Sequence, residues 1–320
     1  MQREIGGYFE LENFSLNEYH KNAIRLNCGR HCITYLIEVY DIKKIYLPLF
    51  CCNSIQCFKK YFPQVEVCFY SINEDFTPVV PSDFSSSDWL YLVNFYGQIS
   101  QNYILELYGK ISNLIVDNSQ NFFAKQISNI PTIYTCRKYF GVCDGAYLYC
   151  DKKIERKLEQ DVSYKRMNFV LGRYELNAGE FYREASSNND IFDDEPLKEM
   201  SKLTKNLLCG IDYEKVKQKR IENIKFLDEE LSEINLLKNL KVGSFSYPLL
   251  LENGAEIRKR LQENKIFIPT LWPDVLENCD KTSLEYRYAK NILPIPIDQR
   301  YGMEEMEFIV DEIWMYINER

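Results

Sequence analysis

Residues 111–150 read ISNLIVDNSQNFFAKQISNIPTIYTCRKYFGVCDGAYLYC. Three short β-rich runs lie in this stretch: Leu114-Ile115-Val116, Ile133-Tyr134-Thr135 and Ala146-Tyr147-Leu148-Tyr149. The first ends in Asp117 with Gln120 just beyond it. The second runs into Arg137-Lys138, and a Gly-x-x-x-Gly turn (Gly141, Gly145) leads into the third. An acid at one buried strand end and a lysine just past the next suit a ligand that carries a protonated ring nitrogen and an aldehyde.

Pyridoxal 5'-phosphate (PLP) is such a ligand. It acts as an electron sink only while its pyridine nitrogen keeps its proton, which calls for a carboxylate, and a lysine must hold its aldehyde as a Schiff base. Desolvation beside a cation lowers a lysine's pKa and frees the amine as nucleophile and base. Either residue alone is unremarkable, since Asp favours turns and helix N-caps and a lysine next to an arginine is commonly a solvated pair. The pairing gains weight from the rest of the chain.

At 320 residues with 46% apolar content, the chain is long enough for one large and one smaller domain. Its net charge is -8, with basic residues scattered rather than clustered, which argues against a nucleic-acid partner. No apolar run reaches membrane-spanning length and the first residues lack a signal-peptide pattern, so a cytoplasmic enzyme is expected. The 11 cysteines read as reduced thiols. Two histidines, His20 and His31, and cysteine spacings foreign to zinc sites predict no metal centre. No Gly-x-Ser-x-Gly elbow exists for a hydrolase triad.

Taken in order, residues 1–20 read as an arm, with Gly6 to Leu11 as a short strand. Ile24 to His31 passes from an apolar run through Gly29 into a helix over 30–40, a geometry that aims free N–H groups and a positive dipole end at an anion. Strands are predicted at 45–47, at 65–70 and in the apolar run 89–97, with a helix over 53–61. Such near-continuous apolar runs indicate strands covered on both faces, hence a largely parallel α/β sheet. Ligands of these sheets sit beyond the carboxyl ends of the strands, where Phe50, Tyr96, Asp117 and Lys138 would lie. Residues 151–200 turn polar, and 185–190 read as a mobile surface segment. Asp212 predicts the N-cap of a long helix with the stripe Val216, Ile221, Ile224, Leu227, Leu231 and Ile234. Strands at 245–251 and 266–268 and helices at 256–264 and 303–317 complete a second, α+β unit.

Several separated segments, in order, resemble the DegT/DnrJ/EryC1/StrS sugar aminotransferases. They are Asn27-Cys28-Gly29-Arg30 at the phosphate turn, Leu47-Pro48-Leu49-Phe50 at the aromatic strand end, and Val93-Asn94-Phe95-Tyr96-Gly97-Gln98. Asp117 to Gln120, Thr135 to Gly145, Ile266 to Pro273 and Leu293-Pro294-Ile295-Pro296 follow. The resemblance implies an α/β fold of the fold-type I PLP-transferase kind, with a large domain over 1–205 holding a mostly parallel sheet and a smaller C-terminal α+β domain over 206–320. It further implies that Lys138 holds the cofactor aldehyde, Asp117 faces the pyridine nitrogen, Gln120 bonds the ring hydroxyl and Phe50 flanks the ring. Gly29, Arg30 and Thr135 would hold the phosphate, and Asn177 would reach it from a partner subunit in a homodimer.

The sequence departs from the family at three points. Cys28 and Arg30 replace small hydroxyl residues, so phosphate contact falls to a guanidinium, which suits that task. The lysine segment Thr-Cys-Arg-Lys is short, and Asp144-Gly145 stands for Glu-Gly-Gly. The implied activity is transfer of an amino group, with glutamate as donor, to a nucleotide-linked keto sugar in surface polysaccharide or amino-sugar biosynthesis. Two alternatives stay open: an inactive member that binds a sugar nucleotide or a partner, and a PLP-dependent sugar dehydratase.

Overall fold

A computed structural model describes residues 5–319. Its frame is a seven-stranded sheet built from β1 (Ile24–Leu26), β2 (Lys44–Pro48), β3 (Glu66–Tyr70), β4 (Trp89–Val93), β5 (Leu114–Asp117), β6 (Thr132–Thr135) and β7 (Ala146–Tyr149). The order across the sheet is β1-β7-β6-β5-β4-β2-β3. The run from β3 to β6 is parallel, and β7 and β1 close one edge antiparallel. All four residues of β5 and of β6 are buried, as the unbroken apolar runs required. In register, Val93 lies beside Asp117 and Asp117 beside Ile133, so β4 and β5 end level while β6 runs two residues further to Thr135.

Helix α1 (Gly29–Tyr40) follows β1 and buries seven consecutive side chains from His31 to Ile37. Helix α2 (Gln101–Lys110) starts at Ser100, whose hydroxyl accepts the Tyr103 N–H. The segment at 53–60 is a 3-10 helix rather than an α-helix. Gly6 to Leu11 forms no strand; its side chains stand in the open, Tyr8 and Phe9 almost fully exposed. Residues 1–4 of the arm lie outside the described residues.

Two corrections concern the polar middle of the chain and the second unit. Residues 185–190 belong to helix α4 (Tyr182–Asp194), which follows α3 (Asn168–Glu175). Its buried face is Asn188, whose amide donates to the Cys143 carbonyl (2.9 Å), and Phe192. Residues 266–268 are no strand, because Ile266 and Ile268 bury their side chains from irregular backbone.

Asp144 explains the departure from Glu-Gly-Gly. It is fully buried and accepts the Ser201 N–H (2.7 Å) and hydroxyl (2.8 Å), and the Thr204 hydroxyl as well. These bonds fasten the start of α5 (Lys202–Leu208) to the turn before β7.

Asp212 caps α6 (Tyr213–Leu231) by accepting the Lys215 N–H at 3.1 Å. Val216, Ile224, Leu227 and Leu231 are buried as the stripe predicts, while Ile221 is half-buried and Ile234 lies past the helix end. Strands β8 (Ser246–Leu250) and β9 (Ile292–Pro296) pair antiparallel over five residues. Helices α6, α7 (Gly254–Glu263) and α10 (Met303–Asn318) cover them, with Leu227, Leu261 and Met306 fully buried together. Helices α8 (Pro273–Asn278) and α9 (Leu284–Asn291) lie between α7 and β9 in sequence.

Gly254 opens α7 against the last turn of α9: a Cβ there would stand 2.0 Å from the Asn291 carbonyl oxygen. Backbone cannot swing aside as a side chain can, so Gly254→Ala is expected to cost about 3 kcal/mol. Urea midpoints of the two proteins check this, and an unchanged midpoint would refute it.

A second expectation concerns acid. His20 is buried among Phe122, Tyr134 and Tyr147. As the neutral ring it is satisfied, with Nε2–H donating to the Phe122 carbonyl (2.9 Å) and Nδ1 accepting from the Tyr149 hydroxyl (3.2 Å). Burial draws its pKa down to about 4, against 6.5 in the unfolded chain. The unfolded state therefore binds the proton first as pH falls. The stability is intact above pH 6.5 and drains away between 6.5 and 4, by roughly 2 kcal/mol from pH 7 to pH 5. His31 is drawn down to about 4 by burial too. Comparing the pH dependence of urea midpoints with that of His20→Gln isolates the His20 share.

Candidate active site

Where β4, β5 and β6 end, the chain leaves a cavity of about 310 Å³. Gly29, Arg30, Asp117, Gln120, Thr135 and Lys138 all line it. These are six of the eight residues singled out from the sequence, brought together from α1, β5 and β6 and the turns that follow.

Asp117 sits at the deep end, only 9% exposed. Its Oδ2 accepts the Tyr91 hydroxyl (2.7 Å) and its Oδ1 the Ser119 N–H (2.7 Å), so the carboxylate is aimed by two donors. Lys138 emerges just after β6, from a turn in which Tyr139 and Phe140 both donate N–H to the Cys136 carbonyl (2.9 Å each). Its Nζ donates to Ser119 Oγ at 3.2 Å and stands 5.8 Å from the Phe245 ring centre. Ser119 thus touches both: its backbone braces the acid and its hydroxyl steadies the amine. Gln120 Oε1 accepts the Tyr96 N–H at 2.6 Å, which supports the positive φ (51°) of Tyr96 before Gly97 and leaves the amide's N–H₂ end for a ligand.

The other end of the cavity is cationic. Cys28 caps α1 without a side-chain bond, so the first-turn N–H groups at Gly29 and Arg30 stay available to an anion. A Cβ on Gly29 would come within 3.6 Å of Thr135 Cβ and fill this cradle. Arg30 donates to Asp193 and to the Asn189 side chain (3.0 Å). Arg137 reaches the same Asn189 oxygen (3.3 and 3.4 Å) and the Cys28 sulfur (3.6 Å), and lies over the Phe192 ring. Its Nε is buried without a partner.

Two sequence readings need revision. Phe50 does not line the cavity. It is fully buried behind the wall, against Trp272 (4.4 Å between ring centres) and Phe95 (5.1 Å), and its neighbours Cys51 and Cys52 face the space instead. Asn177 lies in the exposed turn between α3 and α4, where its Oδ1 accepts the N–H groups of Gly179 (3.0 Å) and Glu180 (3.2 Å); it lines no wall of this cavity. Sequence reasoning missed Ser119, Arg137, Cys51 and Cys52. Position beside Asp117 and Lys138 was the available signal for the first two.

The donor set fits pyridoxal 5'-phosphate: a carboxylate for the ring nitrogen, an amine for the aldehyde, and free amides with two guanidiniums for the phosphate. No group of three His, Cys, Asp or Glu residues among the described residues is placed to hold a metal ion, and no described helix is long and apolar enough to cross a membrane.

No family model matches the sequence, and no curated protein matches it. Solved structures do. DesV of S. venezuelae superposes with a TM-score of 0.63 at 12% identity, covering 92% of this chain and 84% of its own. A DegT DnrJ EryC1 StrS aminotransferase from Brucella abortus gives 0.62 at 12% identity, with 92% and 85% covered. The sugar aminotransferase CalS13 from Micromonospora echinospora gives 0.61 at 10% identity, with 92% and 87% covered. Across 92% of its length, then, the chain has the fold of these aminotransferases, the α/β architecture that its separated motifs implied.

Proposed function

We propose that the chain is a pyridoxal 5'-phosphate-dependent aminotransferase that passes an amino group from glutamate to a nucleotide-linked keto sugar. The observation that carries this is the meeting of Asp117 and Lys138 in one cavity whose far end is cationic, on an aminotransferase fold.

The cofactor, when bound, supplies the electron sink that lets a substrate C–H bond release its proton. The protein's own groups do the rest. Asp117, held by Tyr91 and Ser119, keeps a proton on the ring nitrogen. Lys138 Nζ would hold the aldehyde and, once freed by an incoming amine, would carry a proton from the substrate carbon to the former aldehyde carbon. Ser119 Oγ keeps that amine in reach. Gln120 turns its N–H₂ to the ring hydroxyl, while Gly29, Arg30 and Thr135, with Arg137, hold the phosphate.

The substrate class is supported by a second cavity of about 610 Å³ that shares Arg137 and Lys138 with the first. Its charged lining is five cations (those two with Arg173, Arg220 and Arg300) and one anion, Asp298, in a chain of net charge -8. Arg220 lies over the Tyr139 ring at 4.4 Å, and the Tyr139 hydroxyl is buried with no partner. Guanidiniums interleaved with aromatic rings suit a diphosphate joined to flat and sugar rings. The setting we assign is surface polysaccharide or amino-sugar biosynthesis in the cytoplasm. A homodimer would cover the open Tyr8 and Phe9 and let Asn177 reach the neighbouring phosphate end. Residues 1–205 would form the cofactor domain and 206–320 the smaller one.

The test is a half reaction. Holoprotein mixed with glutamate and no acceptor is expected to release about one equivalent of 2-oxoglutarate per chain. No keto acid from any amino donor would favour a non-catalytic binding protein, and a deoxygenated sugar product without nitrogen would favour a dehydratase.

A further inference from the structure

Three cysteines, Cys28, Cys51 and Cys52, line the same cavity as Lys138. Cys51 and Cys52 are both half-buried residues on the cavity wall. They are adjacent in sequence, so two thiols face one stretch of the cavity wall. Ser54 Oγ lies within hydrogen-bond reach of Cys52 Sγ at 3.1 Å, and Lys138 and Arg30 bring positive charge to the same cavity.

We propose that Cys51 and Cys52 form a covalent-modification site inside this cavity, with Cys52 as the nucleophile toward soft electrophiles and hydrogen peroxide and Cys51 as the thiol that resolves the oxidised product.

The surroundings agree. The neighbouring Cys51 thiol foremost, then Ser54, Lys138 and Arg30, draw the Cys52 thiol down to about 6 against the opposing effect of burial. The Cys52 sulfur beside it, and burial, push Cys51 up. Among the cysteines whose thiols depart from their ordinary value, Cys52 alone moves down; Cys57 and Cys143, for example, are pushed up to about 12 by burial. A thiolate that is accessible and has a second thiol beside it is the arrangement that oxidises reversibly.

The chemistry balances. With an alkyl halide, Cys52 sulfur forms a bond to carbon and the halide leaves. With hydrogen peroxide, the sulfur attacks one oxygen, the O–O bond breaks, hydroxide leaves and takes up a proton, and Cys52 becomes a sulfenic acid. Cys51 sulfur then attacks Cys52 sulfur, the S–O bond breaks, water leaves and a disulfide forms. Two thiols and one peroxide give one disulfide and two waters. Either product changes the wall that Lys138 and Asp117 share, and so closes the cavity to a ring-shaped ligand.

The reactivity does not depend on the aminotransferase reading; only protection by the cofactor does, and the two are read separately. Full-length protein without cofactor is treated with iodoacetamide at neutral pH and followed by peptide mass spectrometry. Cys52 is expected to be alkylated about tenfold faster than any other cysteine, the gain in thiolate fraction being partly offset by its lower nucleophilicity. Even labelling, or labelling led by another cysteine, overturns the proposal without any variant. Prior saturation with pyridoxal 5'-phosphate should slow Cys52 by a similar factor. Fast labelling that the cofactor leaves unchanged upholds the thiol and counts against the cofactor's place in this cavity. With peroxide, the wild-type peptide should lose two hydrogens and regain them with dithiothreitol, while Cys51→Ser should stop at a sulfenic acid that dimedone traps. Equal dimedone trapping in both proteins overturns the role of Cys51.

Discussion

Lys138→Ala protein is expected to take up pyridoxal 5'-phosphate without joining it covalently, and to lose aminotransferase activity by about 10³-fold or more. The lysine's backbone is fixed by the turn bonds to the Cys136 carbonyl, which do not involve its side chain. Beyond Ser119 Oγ and the face of Phe245, the amine makes no other hydrogen bond or ring contact among the described residues. Truncation therefore removes the nucleophile and base and leaves its surroundings standing. Borohydride trapping followed by peptide mapping checks the point: wild-type protein should yield a cofactor adduct on Lys138 and the variant none. An adduct on another lysine, or near-normal turnover in the variant, would move the active centre elsewhere.

Asp117→Asn is the second large effect, on the order of 10²–10³-fold in kcat, or about 3–4 kcal/mol of barrier at 1.36 kcal/mol per tenfold. The substitution keeps the shape of the side chain. An amide oxygen can still accept the Ser119 N–H, and the Tyr91 hydroxyl can rotate to accept from the amide nitrogen. What is lost is the negative charge that, on the function proposed, would hold a proton on the ring nitrogen. The variant should bind cofactor, form the adduct on Lys138 and turn over slowly. A variant with wild-type kcat would show that the ring nitrogen is held by some other group.

The carboxylate was legible at the end of one fully buried strand and the lysine in the turn just past the next, because apolar runs and their period mark such positions well. The largely parallel character of the sheet followed from the same runs. The small unit was read with less success at 266–268, since β-branched residues can be buried without pairing. Helix α4 was misread because Ser, Asn and Asp are weak helix formers and look like a loop; what holds it is the burial of Asn188 and Phe192, which composition does not reveal. Phe50 failed through a small slip in register: past β2 the chain turns, the aromatic ring enters the core, and the next two residues take the cavity wall. Ser119, Arg137 and Asn189 act through turns and a distant helix, so their convergence exists only once the chain is folded.

Asn189 and Asp193 give helix α4 a consequence for engineering. Because they orient Arg30 and Arg137, the segment around 182–194 is not an exchangeable surface insert. A chimera that imports this helix from a distant relative would bring in another set of acceptors and leave two guanidiniums to find new directions. Transplants between such proteins should therefore carry residues 27–30, 135–138 and 182–194 as one cassette, although they are scattered along the gene.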